Sequence, residues 1–168
     1  MDAAYITPFV ESIESIFRNN LRVKIKCHTP VPLIRTEANY DVSGIISFNG
    51  EVGGVAVICL GEETAAKLVT RYSGMEIDAG HLDFADAVGE LLNVIAGNAK
   101  SQFEQTRVNL GCPSVVLGKG HRILRPKGAP VIEIPCESDC GPFAFEVTIV
   151  HPAKALQSGG QAPAALSR

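Results

Sequence analysis

The stretch YDVSGIISFNGEVGGVAVICL, residues 40–60, decides the fold class. Tyr40, Val42, Ile46 and Phe48 alternate with Asp41, Ser43 and Ser47, which is the two-residue period of a strand that buries one face. Asn49-Gly50 then supplies the dipeptide that tight hairpin turns favour, because both residues accept positive φ. The partner, residues 52–60, is apolar on both faces and reads as a central strand. Gly53-Gly54 within it marks a bulge or a close backbone approach.

On the N-terminal side, Phe9, Val10, Ile13, Ile16 and Phe17 recur at helical spacing, with Thr7 in the N-cap position and Pro8 as the first helical residue. Residues 21–28 read as a short strand, followed by a loop through Pro30 and Pro32. On the C-terminal side, Ala65, Leu68, Val69 and Tyr72 line one side of a helix that Gly74 ends. A long helix is predicted over residues 82–107, about 39 Å at 1.5 Å per residue. Strand-like runs follow at 114–117, 131–134 and 143–150; in the last, Phe143, Phe145, Val147 and Ile149 face one way and Glu146 and Thr148 the other. The order of these elements predicts an α+β domain with a largely antiparallel sheet covered by helices. Its expected extent is residues 1–152, and residues 153–168, rich in Ala, Gly, Gln, Ser and Pro, read as a flexible tail.

Composition narrows the function classes. A chain of 168 residues with 46% hydrophobic content suits one domain, and its net charge of -3, with scattered Lys and Arg, lacks the basic patch of a nucleic-acid binder. Acidic residues early in the chain argue against a signal peptide, and no uncharged run approaches the roughly 18 residues of a membrane span. A cytoplasmic protein is expected. Five dispersed cysteines argue against a disulfide framework. Cys136 and Cys140, the one close pair, lack a second pair to complete a zinc site and read as part of a hairpin loop, so no metal is expected. Gly118-Lys119-Gly120 has no Ser or Thr after the Lys and no helix to open, and reads as a strand-end turn rather than a phosphate loop. Neither a nucleophile elbow nor a Cys27-His28 dyad is available, since neighbours on a strand point to opposite faces.

The chemistry-bearing feature is on the long helix. Asp86, Glu90 and Asn93 fall within an arc of about 60°, opposite Val88, Leu91, Leu92, Ile95 and Ala99. A solvated helix face is the plain reading of such a line. Two glycines speak for more: Gly89 and Gly97 each weaken a helix by about 1 kcal/mol relative to Ala, and Gly97 lies on the polar arc, where its missing side chain leaves room for a second surface. A glycosidase-like use of Asp86 and Glu90 is discounted, because a convex helix offers no sugar cleft.

Asp86, three residues, Glu90, two residues, Asn93 and a later Pro113, set in Ala87-Val88-Gly89-Glu90-Leu91-Leu92-Asn93-Val94-Ile95-Ala96-Gly97 and Cys112-Pro113-Ser114-Val115-Val116, resemble the CheC/CheX/FliY family of chemotaxis phosphatases. Gly50-Glu51-Val52-Gly53-Gly54 and Glu63-Thr64-Ala65-Ala66-Lys67-Leu68-Val69 are similar to the family's hairpin and following helix, and the likeness covers roughly residues 1–151. One copy of the motif makes the chain similar to the single-site CheX form. The resemblance implies removal of the phosphoryl group from the aspartate of a phosphorylated CheY-like response regulator. It assigns Asn93 to orienting water, Glu90 to the receiver's active-site Lys, and Asp86 to supporting Glu90 or contacting the partner's rim, while Gly97 joins them as a docking position through its place on the polar arc. It further implies Mg²⁺ supplied by the receiver, no cofactor of the chain's own, and a homodimer joined along sheet edges. The competing expectation is a non-catalytic response-regulator-binding or flagellar-switch-like module that docks through the same helix face.

Overall fold

The computed structural model describes residues 3–33, 40–103, 107–121, 123 and 129–150. Among them are three α-helices, α1 (Thr7–Asn19), α2 (Glu62–Ser73) and α3 (Phe84–Ser101), and eight strands. The strands are β1 (Ile25–Cys27), β2 (Val31–Pro32), β3 (Val42–Gly50), β4 (Gly53–Leu60), β5 (Val108–Leu110), β6 (Ser114–Leu117), β7 (Val131–Ser138) and β8 (Gly141–Val150). They form one sheet in the order β1-β7-β8-β4-β3-β5, with β2 also on β7 and β6 also on β3, and every pairing is antiparallel. The expected α+β antiparallel architecture is the one observed.

The central hairpin sits where the alternation put it, with β4 between β3 and β8, but its turn does not. Register pairs Phe48 with Gly54, so the chain reverses at Glu51-Val52 rather than at Asn49-Gly50. The reason lies in a third strand: Gly50 pairs with Val108 of β5, and at φ 134° its absent Cβ clears the carbonyl of Arg107. Gly54 is the close approach read from the sequence, since a Cβ there would collide with the carbonyl of Thr148 and the ring of Phe48. Residues 21–28 are a strand only from Ile25. Before it, the Leu21 and Val23 N–H groups bond back to Ile16 and Phe17 while Arg22 takes φ 56°, so these two buried apolar residues close α1 instead of extending β1.

Helices cover one face of the sheet. Phe9 of α1 lies between the rings of Phe48, Phe103 and Phe145, and Phe17 stacks on Phe143 with centroids 5.0 Å apart. Ser12, fully buried, donates to the carbonyl of Ile95 at 2.6 Å and ties α1 to α3. Ser12→Ala is expected to cost about 1 kcal/mol of stability without loss of fold, read as a lower denaturant midpoint at unchanged m-value. The opposite face is not simply solvated. Glu146, Thr148 and Ser43 point that way but are buried, in a layer where Tyr40 and Ile123 pack against Val57, Cys59 and Ala144. There His121 Nε2 lies 2.7 Å from Ser43 Oγ and its Nδ1 2.6 Å from the carbonyl of Gly118, which pins the turn after β6 to the sheet.

The long helix is shorter than expected at both ends. At its start, residues 78–84 are held in turns by His81 N–H to Asp78 and Phe84 N–H to His81. At its end, Phe103 turns inward to meet Phe9 and Tyr5, and burying that ring outweighs further helix. Residues 153–168, the expected tail, lie outside the described residues.

Candidate functional site

The position of α3 is set from beneath by a glycine. Gly44 of β3 lies under Leu92 and Val88, where a Cβ would meet Ile58 Cγ2 at 3.0 Å and Leu92 Cδ2 at 3.2 Å, so α3 settles closely on the sheet. Its apolar side, Phe84, Val88, Leu91, Leu92, Ile95, Ala96 and Ala99, is buried. The opposite ridge then has to carry the polar line: Asp86 and Glu90 are exposed and Asn93 half-buried. Among the described residues none of the three side chains has a hydrogen-bond or ion-pair partner within the chain, so their polar atoms are left to water or to another molecule.

One flank of this ridge is built by the break between β5 and β6. Gly111 crosses Ser47, bonding its carbonyl at 2.8 Å, and a side chain at 111 would strike Ser47 Oγ. That crossing sets Pro113 against Gly89, where a Cβ would lie 3.5 Å from Pro113 Cγ and 3.6 Å from Val115 Cγ2. Ala85, Asp86, Gly89, Glu90, Pro113 and Val115 together line a shallow groove of about 340 Å³. The motif's proline is thereby brought beside its two acids, 23 residues downstream of Glu90 in sequence. Gly97 has nothing within 4 Å of where a Cβ would stand, leaving open space beyond Asn93.

The other flank is α2. Partial burial, and after it the carboxylate of Glu90, push the Tyr72 hydroxyl above its ordinary pKa. The helical spacing puts Tyr72 on the buried side of α2; in the structure it is half-buried and borders the site. No sequence signal relates residues on separate helices in this way. Leu82, 94% exposed, lies in the turn just before α3.

The remaining candidates stay apart from this ridge. Cys136 ends within β7 and Cys140 in its two-residue turn to β8, as a hairpin requires, and Gly118 and Gly120 take positive φ in the turn that follows β6. Among the described residues no group of three His, Cys, Asp or Glu side chains is placed to hold a metal ion. No helix among them is long and apolar enough to cross a membrane.

Comparison with known proteins agrees with this geometry. The chemotaxis phosphatase CheX family matches residues 42–137, which includes β3, the whole of α3 and Pro113. The CheY-P phosphatase CheX of Thermotoga maritima is 27% identical over 126 residues, covering 73% of this chain and 81% of that protein. The crystal structure of a chemotaxis protein CheX from Desulfovibrio desulfuricans superposes with a TM-score of 0.80 at 26% identity, covering 87% of this chain and 99% of that one. The fold is also shared with the CheX–CheY–BeF3–Mg²⁺ complex from Borrelia burgdorferi, at TM-score 0.73 and 24% identity over 86% of this chain and 97% of that one. With the family's sequence pattern running through the ridge and its fold placing that ridge on the surface, this chain belongs to the CheX family of chemotaxis phosphatases.

Proposed function

We propose that this protein removes the phosphoryl group from the aspartyl-phosphate of a CheY-like response regulator, with the exposed ridge of α3 as its docking and catalytic surface. The observation that carries the reading is that Asp86, Glu90 and Asn93 stand side by side on a convex helix with no hydrogen-bond or ion-pair partner among the described residues. Such a helix is no substrate pocket, but it fits into one on another protein. The relative from Thermotoga maritima is named for CheY-P, and the Borrelia burgdorferi protein forms a complex with CheY.

Acyl-phosphate hydrolysis passes through a loose transition state, so placing water in line with the breaking bond matters more than a strong base. Asn93 supplies both a donor and an acceptor and orients that water without itself changing protonation. Glu90 pairs with the receiver's active-site lysine and sets the register of α3. Asp86 supports Glu90 from one turn earlier, and Leu82 gives the receiver an apolar contact. Mg²⁺ is held by the receiver and stabilises charge on the phosphoryl oxygens there. Action in the cytoplasm and assembly as a homodimer along the short, broken sheet edges belong to the same reading; light scattering of the purified chain checks the dimer.

The decisive test is phosphate release from phosphorylated CheY-like receivers with and without this protein. Acceleration supports the reading; binding that leaves the phosphoryl lifetime unchanged identifies a docking module instead. Gly97 gives a sharper prediction. Gly97→Ala is expected to raise stability by about 0.5–1 kcal/mol through helix propensity, since its Cβ enters open space. The same change should weaken receiver binding, seen as a higher KM, because that space is where the receiver approaches.

A further inference from the structure

In the sequence Cys136 is closest to Cys140; in the fold it stands beside Cys27, 109 residues away, with the two sulfurs 3.6 Å apart. The two are register partners on β1 and β7. His28 N–H donates to the Pro135 carbonyl at 2.9 Å and Asp139 N–H to the Lys24 carbonyl at 3.2 Å, so the hydrogen-bonded positions on β1 are the even-numbered ones. Cys27 and Cys136 therefore occupy a non-hydrogen-bonded pair, where opposed Cα atoms approach to about 4.5 Å. That separation lies within the roughly 4.4–6.8 Å that a disulfide spans, and side-chain rotation closes the remaining ~1.5 Å between sulfurs. Both thiols are free, Cys27 half-buried and Cys136 buried in the core.

We propose that Cys27 and Cys136 are a redox-modification site, a dithiol that a hydroperoxide converts to an intramolecular disulfide stapling the edge strand β1 to β7. The local electrostatics divide the roles. Cys136 Sγ lies 3.6 Å from the Cys27 sulfur and 3.4 Å from the Ile134 carbonyl, and its hydrogen bond to Cys27 lowers that thiol below its ordinary pKa, with Arg18 adding to this against burial and Glu14. The same hydrogen bond, then burial, pushes the Cys136 thiol up. Cys27 is thus the more accessible and more readily ionised thiol, the one that attacks once deprotonated, and Cys136 is the thiol that resolves. The Cys27 thiolate attacks the peroxide oxygen, the O–O bond breaks, and hydroxide leaves as Cys27 becomes a sulfenic acid. Cys136 then gives up its proton and attacks the Cys27 sulfur, the S–O bond breaks, and a second hydroxide leaves. Two thiols are oxidised to one disulfide, and one hydrogen peroxide is reduced to two waters. No residue of the α3 ridge takes part, so the proposal stands or falls apart from the phosphatase reading.

The test uses the full chain, reduced, exposed to hydrogen peroxide, alkylated and mapped by peptide mass. The expected product has lost two of its five alkylatable thiols and contains a peptide pair joining Cys27 to Cys136. It also melts several degrees higher than the reduced protein, because a long chain loop has been closed. Cys27→Ser should abolish both the link and the stabilisation while Cys136 stays alkylatable. Cys136→Ala, in which the resolving thiol is missing, should leave Cys27 as a sulfenic acid trapped by dimedone. If that buried substitution prevents folding, the peptide map of the unmutated chain decides by itself. Over-oxidation of Cys27 with Cys136 still alkylated, or links only through Cys112 between copies, overturns the proposal.

Discussion

Asn93→Ala is expected to reduce the stimulated dephosphorylation of the receiver by about 10²–10³-fold, the usual consequence of losing a group that positions the attacking water or stabilises the transition state. The loss should fall on kcat, with receiver affinity little changed, because Asn93 contributes orientation rather than docking. Stability should hardly move: the side chain is half-buried and has no hydrogen-bond partner among the described residues, and alanine favours helix over asparagine. Single-turnover decay of a phosphorylated receiver, beside circular dichroism and a thermal melt, separates these effects. An Asn93→Ala protein that speeds the decay as well as the unmutated chain removes Asn93 from the mechanism. Asn93→Asp is a useful companion, since it keeps the size and loses the donor beside a phosphoryl group that repels its charge.

Glu90→Ala is expected to lower kcat/KM by about 10–10²-fold, and Glu90→Lys by more, since reversal sets two cations against each other across the interface. Here KM should rise as well as kcat fall, because the same contact both holds the receiver and sets the register of α3. The remaining activity should depend less on ionic strength than that of the unmutated protein. An internal readout needs no receiver. The Glu90 carboxylate is one of the two causes that raise the Tyr72 hydroxyl, so in Glu90→Ala the phenol should titrate closer to its ordinary value in an ultraviolet pH titration. A fall in kcat/KM without movement of Tyr72 places Glu90 elsewhere than against α2. Movement of Tyr72 with full activity separates the geometry, which then stands, from the functional role, which does not.

What could be read directly from the residues was whatever repeats within one element. The alternation in residues 40–60 located β3 and β4, the spacing from Ala65 to Tyr72 with Gly74 bounded α2, and the helical period placed Asp86, Glu90 and Asn93 on one line. Element ends were less legible, because they are decided by partners that periodicity does not see. Asn49-Gly50 has the composition of a hairpin turn, yet β5 claims Gly50 and the reversal moves to Glu51-Val52. The predicted helix over 82–107 shrinks to Phe84–Ser101, in part because Phe103 gains more from Phe9 and Tyr5 than from another helical turn.

The sequence alone determined the class of fold and the identity of the polar ridge, since both follow from local side-chain order and the fixed geometry of helix and strand. Tertiary structure alone decided the setting of that ridge: Gly44 seating α3 on the sheet, Pro113 against Gly89, and Tyr72 within reach of the Glu90 charge. It alone also set Cys27 opposite Cys136. Each of these pairs residues from different elements, and only the packing of the whole core chooses which distant residues meet.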